Sequence, residues 1–262
     1  MAILRYANEV WHYRRFWLAL ARLDIQRRYR RSMLGAGWAV IQPAVMAAVM
    51  CGIFCRAFGA AFGDHFPFVL VGLCLWSYFS AMIRDGSGSI FWSETYIRQQ
   101  RTPLAIYPLR IVLAGLCNLG LACAPVLLWS WLVKGAIGVE GILGLLVLTV
   151  MLFLLGWSLA ILFGFATIYA PDMGPLSEIG LQLLFYATPI LYRPAFLRDW
   201  GMGWLAVSNP LSGFLAAIRD IILHGNFPAL DALAHAAVVT ATLSGLAVLM
   251  VSRLERRVVF QL

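Results

Sequence analysis

Four arginines in five positions, Arg27, Arg28, Arg30 and Arg31, form the densest charge in the chain. Grouped guanidinium groups hold phosphate or pyrophosphate oxygens through charge-assisted hydrogen bonds, which would suit the anionic group of a lipid-linked substrate. A basic cluster before an apolar run also works as a plain topological anchor, and the residues alone leave both readings open. A second polar concentration is the stretch GSGSIFWSETYIRQQRTP. It predicts a short helix from about Ser89 to Arg101, stopped by Pro103. Phe91, Trp92, Tyr96 and Ile97 then stand beside Glu94, Arg98 and Arg101, a pattern suited either to docking in a groove of a soluble partner or to an ordinary surface loop.

Other chemistry is missing. A phosphate-binding loop requires Lys followed by Ser or Thr after a glycine-rich turn, whereas the single lysine, Lys134, precedes Gly135. If ATP drives this protein, another chain binds it, with its Mg, and this chain carries no cofactor. His12, His65, His224 and His235 are isolated, so no metal pair is expected. The five cysteines, Cys51, Cys55, Cys74, Cys117 and Cys123, all lie in apolar runs and read as buried thiols. No G-x-S-x-G elbow occurs, and the spans have essentially no ionisable residue near their middles. Together these disfavour an intramembrane hydrolase and an ion-coupled carrier.

The elements that must position the two polar clusters are set by hydropathy. Of 262 residues, 62% are hydrophobic and 12% charged, about half the charge of a soluble domain. The net charge of +8 is almost all arginine at the ends of apolar runs, which argues for membrane topology and against nucleic acid. Crossing a bilayer core takes about 20 apolar residues. Met33 to Cys55, Phe66 to Ile83, Ile111 to Val133, Gly141 to Ala170 and Ala232 to Ser252 are uncharged, and Met173 to Tyr192 carries only Glu178. Eight arginines precede the first span, and Arg253, Arg256 and Arg257 follow the last, so both ends are expected in the cytoplasm. Parity then requires six spans.

The segment Trp200 to Ile218 is uncharged but broken by Gly201, Gly203, Asn209, Pro210 and Gly213, which suits helices that dip into the membrane and return. The expected fold is therefore an all-α integral membrane protein with six transmembrane helices and external re-entrant helices between spans five and six. Residues 1–32 form a cytoplasmic interfacial helix and basic segment, 33–252 the transmembrane domain, and 253–262 a cytoplasmic tail. The re-entrant region covers about 193–230. In the N-terminal segment, Val10, Trp11, Trp17, Leu18, Ala21 and Ile25 share one helical face, with Arg14 intruding, and the segment reads as an interfacial helix and not as a cleavable signal peptide. Trp38, Phe54, Phe185, Tyr186 and Tyr192, in spans one and five, offer flat faces to sugar rings or act as membrane anchors.

Several motifs, in order, resemble permeases of polysaccharide ABC exporters of the type-2 class, which include O-antigen, capsule and teichoic acid exporters. The run LDIQRRYRRSMLGAGWAVIQP introduces span one, FPFVLVGLCLWSYFS fills span two, YAPDMGPLSEIGLQLLFYATPILY leads through span five, and NPLSGFLAAIRDIILHG follows. The resemblance implies a homodimer in the bacterial inner membrane, docked on two copies of a nucleotide-binding ATPase and exporting a polyprenyl-pyrophosphate-linked polysaccharide. The helix at 89–101 would be the coupling helix, with Asp172 near it on the cytoplasmic side. Spans one and five would border the channel, and Asn209, Pro210 and Arg219 would belong to the re-entrant loop. Members often carry an Arg-Asp pair where Pro171 precedes Asp172 here, and a Phe-Pro-Arg-like sequence where this chain reads RTPLAIYPLR. The other reading of the chain is a lipid-linked sugar transferase, and a third is a membrane scaffold without transport.

Overall fold

A computed structural model describes residues 2–30, 33–57, 61–100, 102–135 and 138–258. Among these residues the regular structure is entirely helical. Two N-terminal helices, α1 (Ala2–His12) and α2 (Arg14–Tyr29), precede the long helices α3 (Trp38–Ala57) and α4 (Phe62–Gly88). After a 3-10 turn at Phe91–Ser93 come α5 (Glu94–Gln99), α6 (Ile106–Lys134), α7 (Val139–Tyr169) and α8 (Met173–Ala187). Three short helices follow, α9 (Pro194–Asp199), α10 (Gly203–Ser208) and α11 (Ser212–Arg219), and then α12 (Leu230–Val258).

Five of these helices, α3, α4, α6, α7 and α12, are long and apolar enough to cross a membrane, each carrying a span of 21 to 31 residues. They match five of the expected spans. Their outward faces are apolar, with Val45, Val49 and Ile53 on α3, Leu146 and Val150 on α7 and Val238 on α12 all exposed. Lipid tolerates such a surface and water does not. The remaining expected span, α8, is helical for 15 residues. At a rise of about 1.5 Å per residue it covers about 22 Å, less than the bilayer core of about 30 Å. It stops at Ala187 because Pro189 disfavours helical backbone at Thr188, which is extended with ψ of 133°.

Helix α4 is the centre of the bundle: 72% of its span is buried, against 22% of the α3 span. Small residues on α7 at four-residue spacing, Gly156, Ala160 and Gly164, bring α7 against α4. A Cβ on Gly86 would lie 2.7 Å from the Ala160 Cα. The Tyr78 hydroxyl, on α4, donates to the Leu152 carbonyl at 2.8 Å, so the one polar group of a buried aromatic is satisfied across the same interface. On its other side α7 meets α12, where the Ser158 and Ser244 hydroxyls share a 2.9 Å bond.

The N-terminal segment is two helices, broken at Tyr13. Leu20 and Ala21 of α2 pack on the protein while Trp11 and Leu18 stay exposed, so the apolar face divides between protein and surroundings. Trp17 is half-buried, and its indole N–H donates to the Val10 carbonyl across the break. The Tyr6 hydroxyl donates to Glu255 Oε1 at 2.8 Å, and so does the Leu104 backbone N–H. Helix α1, the end of α12 and the segment after α5 therefore lie at one end of the bundle. Helices α9 to α11 lie at the other.

Candidate functional site

A cleft of about 840 Å3 opens between α3, α4, α6 and α8. Its walls carry Trp38 and Gln42 from α3, Trp76 and Ser80 from α4, Asn118 from α6, and Gln182, Phe185 and Tyr186 from α8. At the α2 end the lining changes from apolar to charged, with Arg28, Arg84, Asp85 and Glu178. Arg84 and Glu178 pair at 3.3 Å across the cleft, both at least half exposed, so the pair is screened and easily exchanged. The Tyr29 hydroxyl donates to Asn118 Oδ1 at 2.5 Å, closing the gap between α2 and α6. An elongated ligand with an anionic group at one end and sugar rings or an apolar chain beyond would find matching chemistry along this surface.

Of the four clustered arginines, Arg28 lines the cleft, Arg27 and Arg30 are exposed on α2 and beyond it, and Arg31 lies outside the described residues. Among the aromatics, Trp38, Phe185 and Tyr186 are brought together in the cleft. The Phe185 ring meets Trp76 at 5.3 Å and Tyr186 at 5.5 Å, edge to face. Phe54 stands near the far end of α3, away from the cleft lining. Tyr192 folds back, its hydroxyl donating to the Tyr186 carbonyl at 2.8 Å. Arg84, Gln182 and Asn118 were not singled out by the sequence, because a charge at a span end looks like an ordinary topology marker and a lone uncharged amide inside an apolar run leaves its hydropathy high.

The second site is the end of the bundle that carries α5. The expected helix from Ser89 to Arg101 is present as the turn Phe91–Ser93 and α5, with Arg101 outside the described residues. Gln100 is extended, which ends the helix three residues before Pro103. Phe91 and Trp92 are each 63% exposed and Tyr96 38%, while Ser93 and Ile97 turn inward. Glu94 and Arg98 pair along the helix at 2.7 Å. The arrangement is an outward aromatic knuckle on a fixed base. Asp172 is exposed in the turn before α8.

The base is built from residues the sequence reading did not nominate. Arg110, 8% exposed at the start of α6, donates from Nη2 to Ser93 Oγ at 3.2 Å. Its Nε lies 3.4 Å from Asp24 Oδ2 of α2, an ion pair by distance without hydrogen-bond alignment. Burial raises the Asp24 pKa, while the charges of Arg110 and Arg27 oppose that rise. Beyond α5, the Ala105 N–H donates to the Tyr6 hydroxyl at 3.3 Å and the Trp157 indole donates to the Ala105 carbonyl at 3.0 Å. Burial, then the charge of Glu255, raises the Tyr6 pKa, so Tyr6 remains a donor to that carboxylate.

At the opposite end, Arg219 is 6% exposed and joins three segments through carbonyl groups. Its Nη1 donates to Pro189 O at 2.9 Å and its Nη2 to Ile190 O at 3.1 Å, while the guanidinium stacks 3.5 Å from the Phe68 ring centre. Gly72 leaves room for it, since a Cβ there would sit 3.0 Å from Arg219 Nη2. Asn209 donates to Thr188 Oγ1 at 2.8 Å and accepts from the Leu211 N–H at 2.8 Å. Pro210, half-buried, follows it in the turn into α11. These residues fasten the short helices to the extended residues after α8. Among the described residues no cluster of side chains suits a metal ion.

A model of the ABC-2 type transporter family matches residues 15–223. The chain is similar to an O-antigen export system permease protein RfbA of Myxococcus xanthus, 25% identical over 244 residues, which cover 92% of this chain and 93% of the relative. It is also similar to a Klebsiella pneumoniae protein of the same name, 24% identical over 204 residues, 77% of this chain and 78% of that one.

Proposed function

The chain belongs to the ABC-2 type transporter family, and from that premise we propose that it is the permease of an ATP-driven exporter carrying a polyprenyl-pyrophosphate-linked, O-antigen-like polysaccharide across the bacterial inner membrane. The observation that carries this reading is the cleft between α3 and α8, which joins Arg28 and Arg84 at one end to Trp38, Phe185 and Tyr186 along its wall. The names of the relatives support the O-antigen assignment over capsule or teichoic acid. The lipid diphosphate is held at the arginine end, and the glycan follows along the aromatic wall.

In this reading α8 and the extended residues after it serve as the fifth of six spans, and α9 to α11 form the external re-entrant region. The excess of arginine at their end of the bundle supports a cytoplasmic side for α1, α2, α5 and both termini. The permease acts as a homodimer. The exposed apolar face of α3 (Val45, Met46, Val49) and the exposed face of α8 (Ile179, Leu183) flank the cleft, so a second copy would close it into a passage. Two copies of a separate ATPase bind ATP and Mg and dock on Phe91, Trp92, Glu94, Tyr96, Arg98 and Arg101, with Asp172 at the rim. No step of nucleotide hydrolysis belongs to this chain.

The test is co-expression with the cognate ATPase in a strain that makes the lipid-linked glycan but lacks its own permease. The reading expects a stable complex and surface polysaccharide that disappears with Arg28→Gln combined with Arg84→Gln. Glycosyl transfer by the purified chain without ATP, or surface polysaccharide unaffected by that double substitution, contradicts it.

A further inference from the structure

We propose that Arg110 is a positioning residue that ties the outward segment Phe91–Gln99 to α2, so that the two move as one body and a displacement of that segment reaches Arg28 in the cleft. The mechanical half stands on geometry, and the functional half rests on the export reading above.

The geometry forms a continuous chain of contacts. Ser93 Oγ accepts from Arg110 Nη2 and itself donates to the Ser89 carbonyl at 2.7 Å, fixing the turn to the end of α4. The same guanidinium faces Asp24 of α2 through Nε at 3.4 Å, and both side chains are mostly buried, at 10% and 27% exposure. The charges therefore interact through protein and not through solvent, where attraction is stronger and less screened. Phe16 of α2 meets Tyr96 of α5 edge to face at 6.1 Å, a second contact between the same two elements. Asp24 lies one helical turn before Arg28, which lines the cleft, and Tyr29 beside it is bonded to Asn118 of the cleft wall. Because α2 is a continuous helix from Arg14 to Tyr29, a shift at Asp24 is carried to Arg28.

The far end of the segment is held separately, by Leu104 and Tyr6 on Glu255. Arg110 is thus a polar link between the first half of the segment and α2. A planar guanidinium reaches the hydroxyl and the carboxylate together, whereas the single ammonium of lysine is a compact point charge. Arg110→Lys therefore keeps the charge and loses the tie.

The experiment places spin labels at Arg22→Cys on α2 and Gln99→Cys on α5, with the exposed Cys117 replaced by Ser, and measures the distance distribution in the purified full chain. A single narrow distribution is expected for the parent. Broadening is expected in Arg110→Gln, Arg110→Lys and Asp24→Asn. An unchanged distribution in Arg110→Gln overturns the tie. The second arm measures polysaccharide exported per ATP hydrolysed in the ATPase complex, where Arg110→Lys is expected to lower the ratio on the order of five-fold or more while complex formation is kept. An unchanged ratio overturns the relay. Absence of any ATPase complex with the unsubstituted chain defeats the export reading instead, and the distance arm still decides the tie.

Discussion

The two ends of the bundle solve the same problem, fastening short helices to long ones, by opposite means. At the end of α9 to α11, polar side chains are buried and held by neighbouring chain: Arg219 donates to the Pro189 and Ile190 carbonyls, and Asn209 donates to the Thr188 hydroxyl and accepts from the Leu211 N–H. At the end of α5, charges pair side chain to side chain at intermediate burial, and Phe91 and Trp92 project outward. Carbonyl partners on a fixed loop have no alternative arrangement, so the first end is a static cap. Paired side chains over an exposed aromatic surface can shift as a unit, so the second end suits a surface that is met and moved.

The comparison predicts that substitutions at the first end damage folding and those at the second damage coupling. Arg219→Ala has the largest expected effect on stability, on the order of 3 kcal/mol or more, because it strands the carbonyls of Pro189 and Ile190 after α8 and of Phe68 on α4. It is read as loss of monodisperse protein on heating in detergent. Arg219→Lys, which cannot make the forked contact, recovers only part of this. Trp92→Ala leaves thermal stability near that of the parent but weakens the ATPase complex roughly 30-fold, as expected for an exposed aromatic anchor worth about 2 kcal/mol. A stability loss in Trp92→Ala as large as in Arg219→Ala would erase the contrast.

Asn209→Ala is expected to cost about 1 to 2 kcal/mol, since it removes one buried bond to Thr188 and frees the turn into α11. The smallest effect belongs to Glu94→Gln. Its pair with Arg98 is a surface pair one helical turn apart, and the thermal midpoint should reflect about 0.3 to 0.5 kcal/mol at most. A change in ATPase affinity larger than this stability change would place Glu94 in the docking contact.

Much of this contrast is written in the sequence, and part of it is not. The long helices follow from apolar runs whose length the bilayer dictates, and the outward aromatic segment near 89–101 follows from its composition between two such runs. Asn209 and Pro210 stood out as breaks in an uncharged stretch, and the family resemblance added Arg219, which marks the region without showing what these residues hold. The partners of Arg219 are main-chain carbonyls, and a carbonyl has no side-chain signature. The early stop of α8 is visible only when Pro189 is read for its effect on Thr188, against the hydropathy that continues to Tyr192. Arg110 looked like one more charge at a span end. Its role depends on Asp24 and Ser93, which are distant in sequence and adjacent only once α2 has packed on α6. The clamp of Gly156, Ala160 and Gly164 was likewise masked by the uniform hydrophobicity of α7.

The central claim, that this chain is a passage opened by a partner at the α5 end, is tested most directly in sealed vesicles holding the permease and its cognate ATPase, with lipid-linked polysaccharide supplied on the ATPase side. The account predicts ATP-dependent appearance of the polysaccharide on the opposite side, lost in Trp92→Ala, with the chain itself forming no new glycosidic bond. Polysaccharide crossing at the same rate without ATP, or none crossing although the ATPase is bound and hydrolysing, would contradict it.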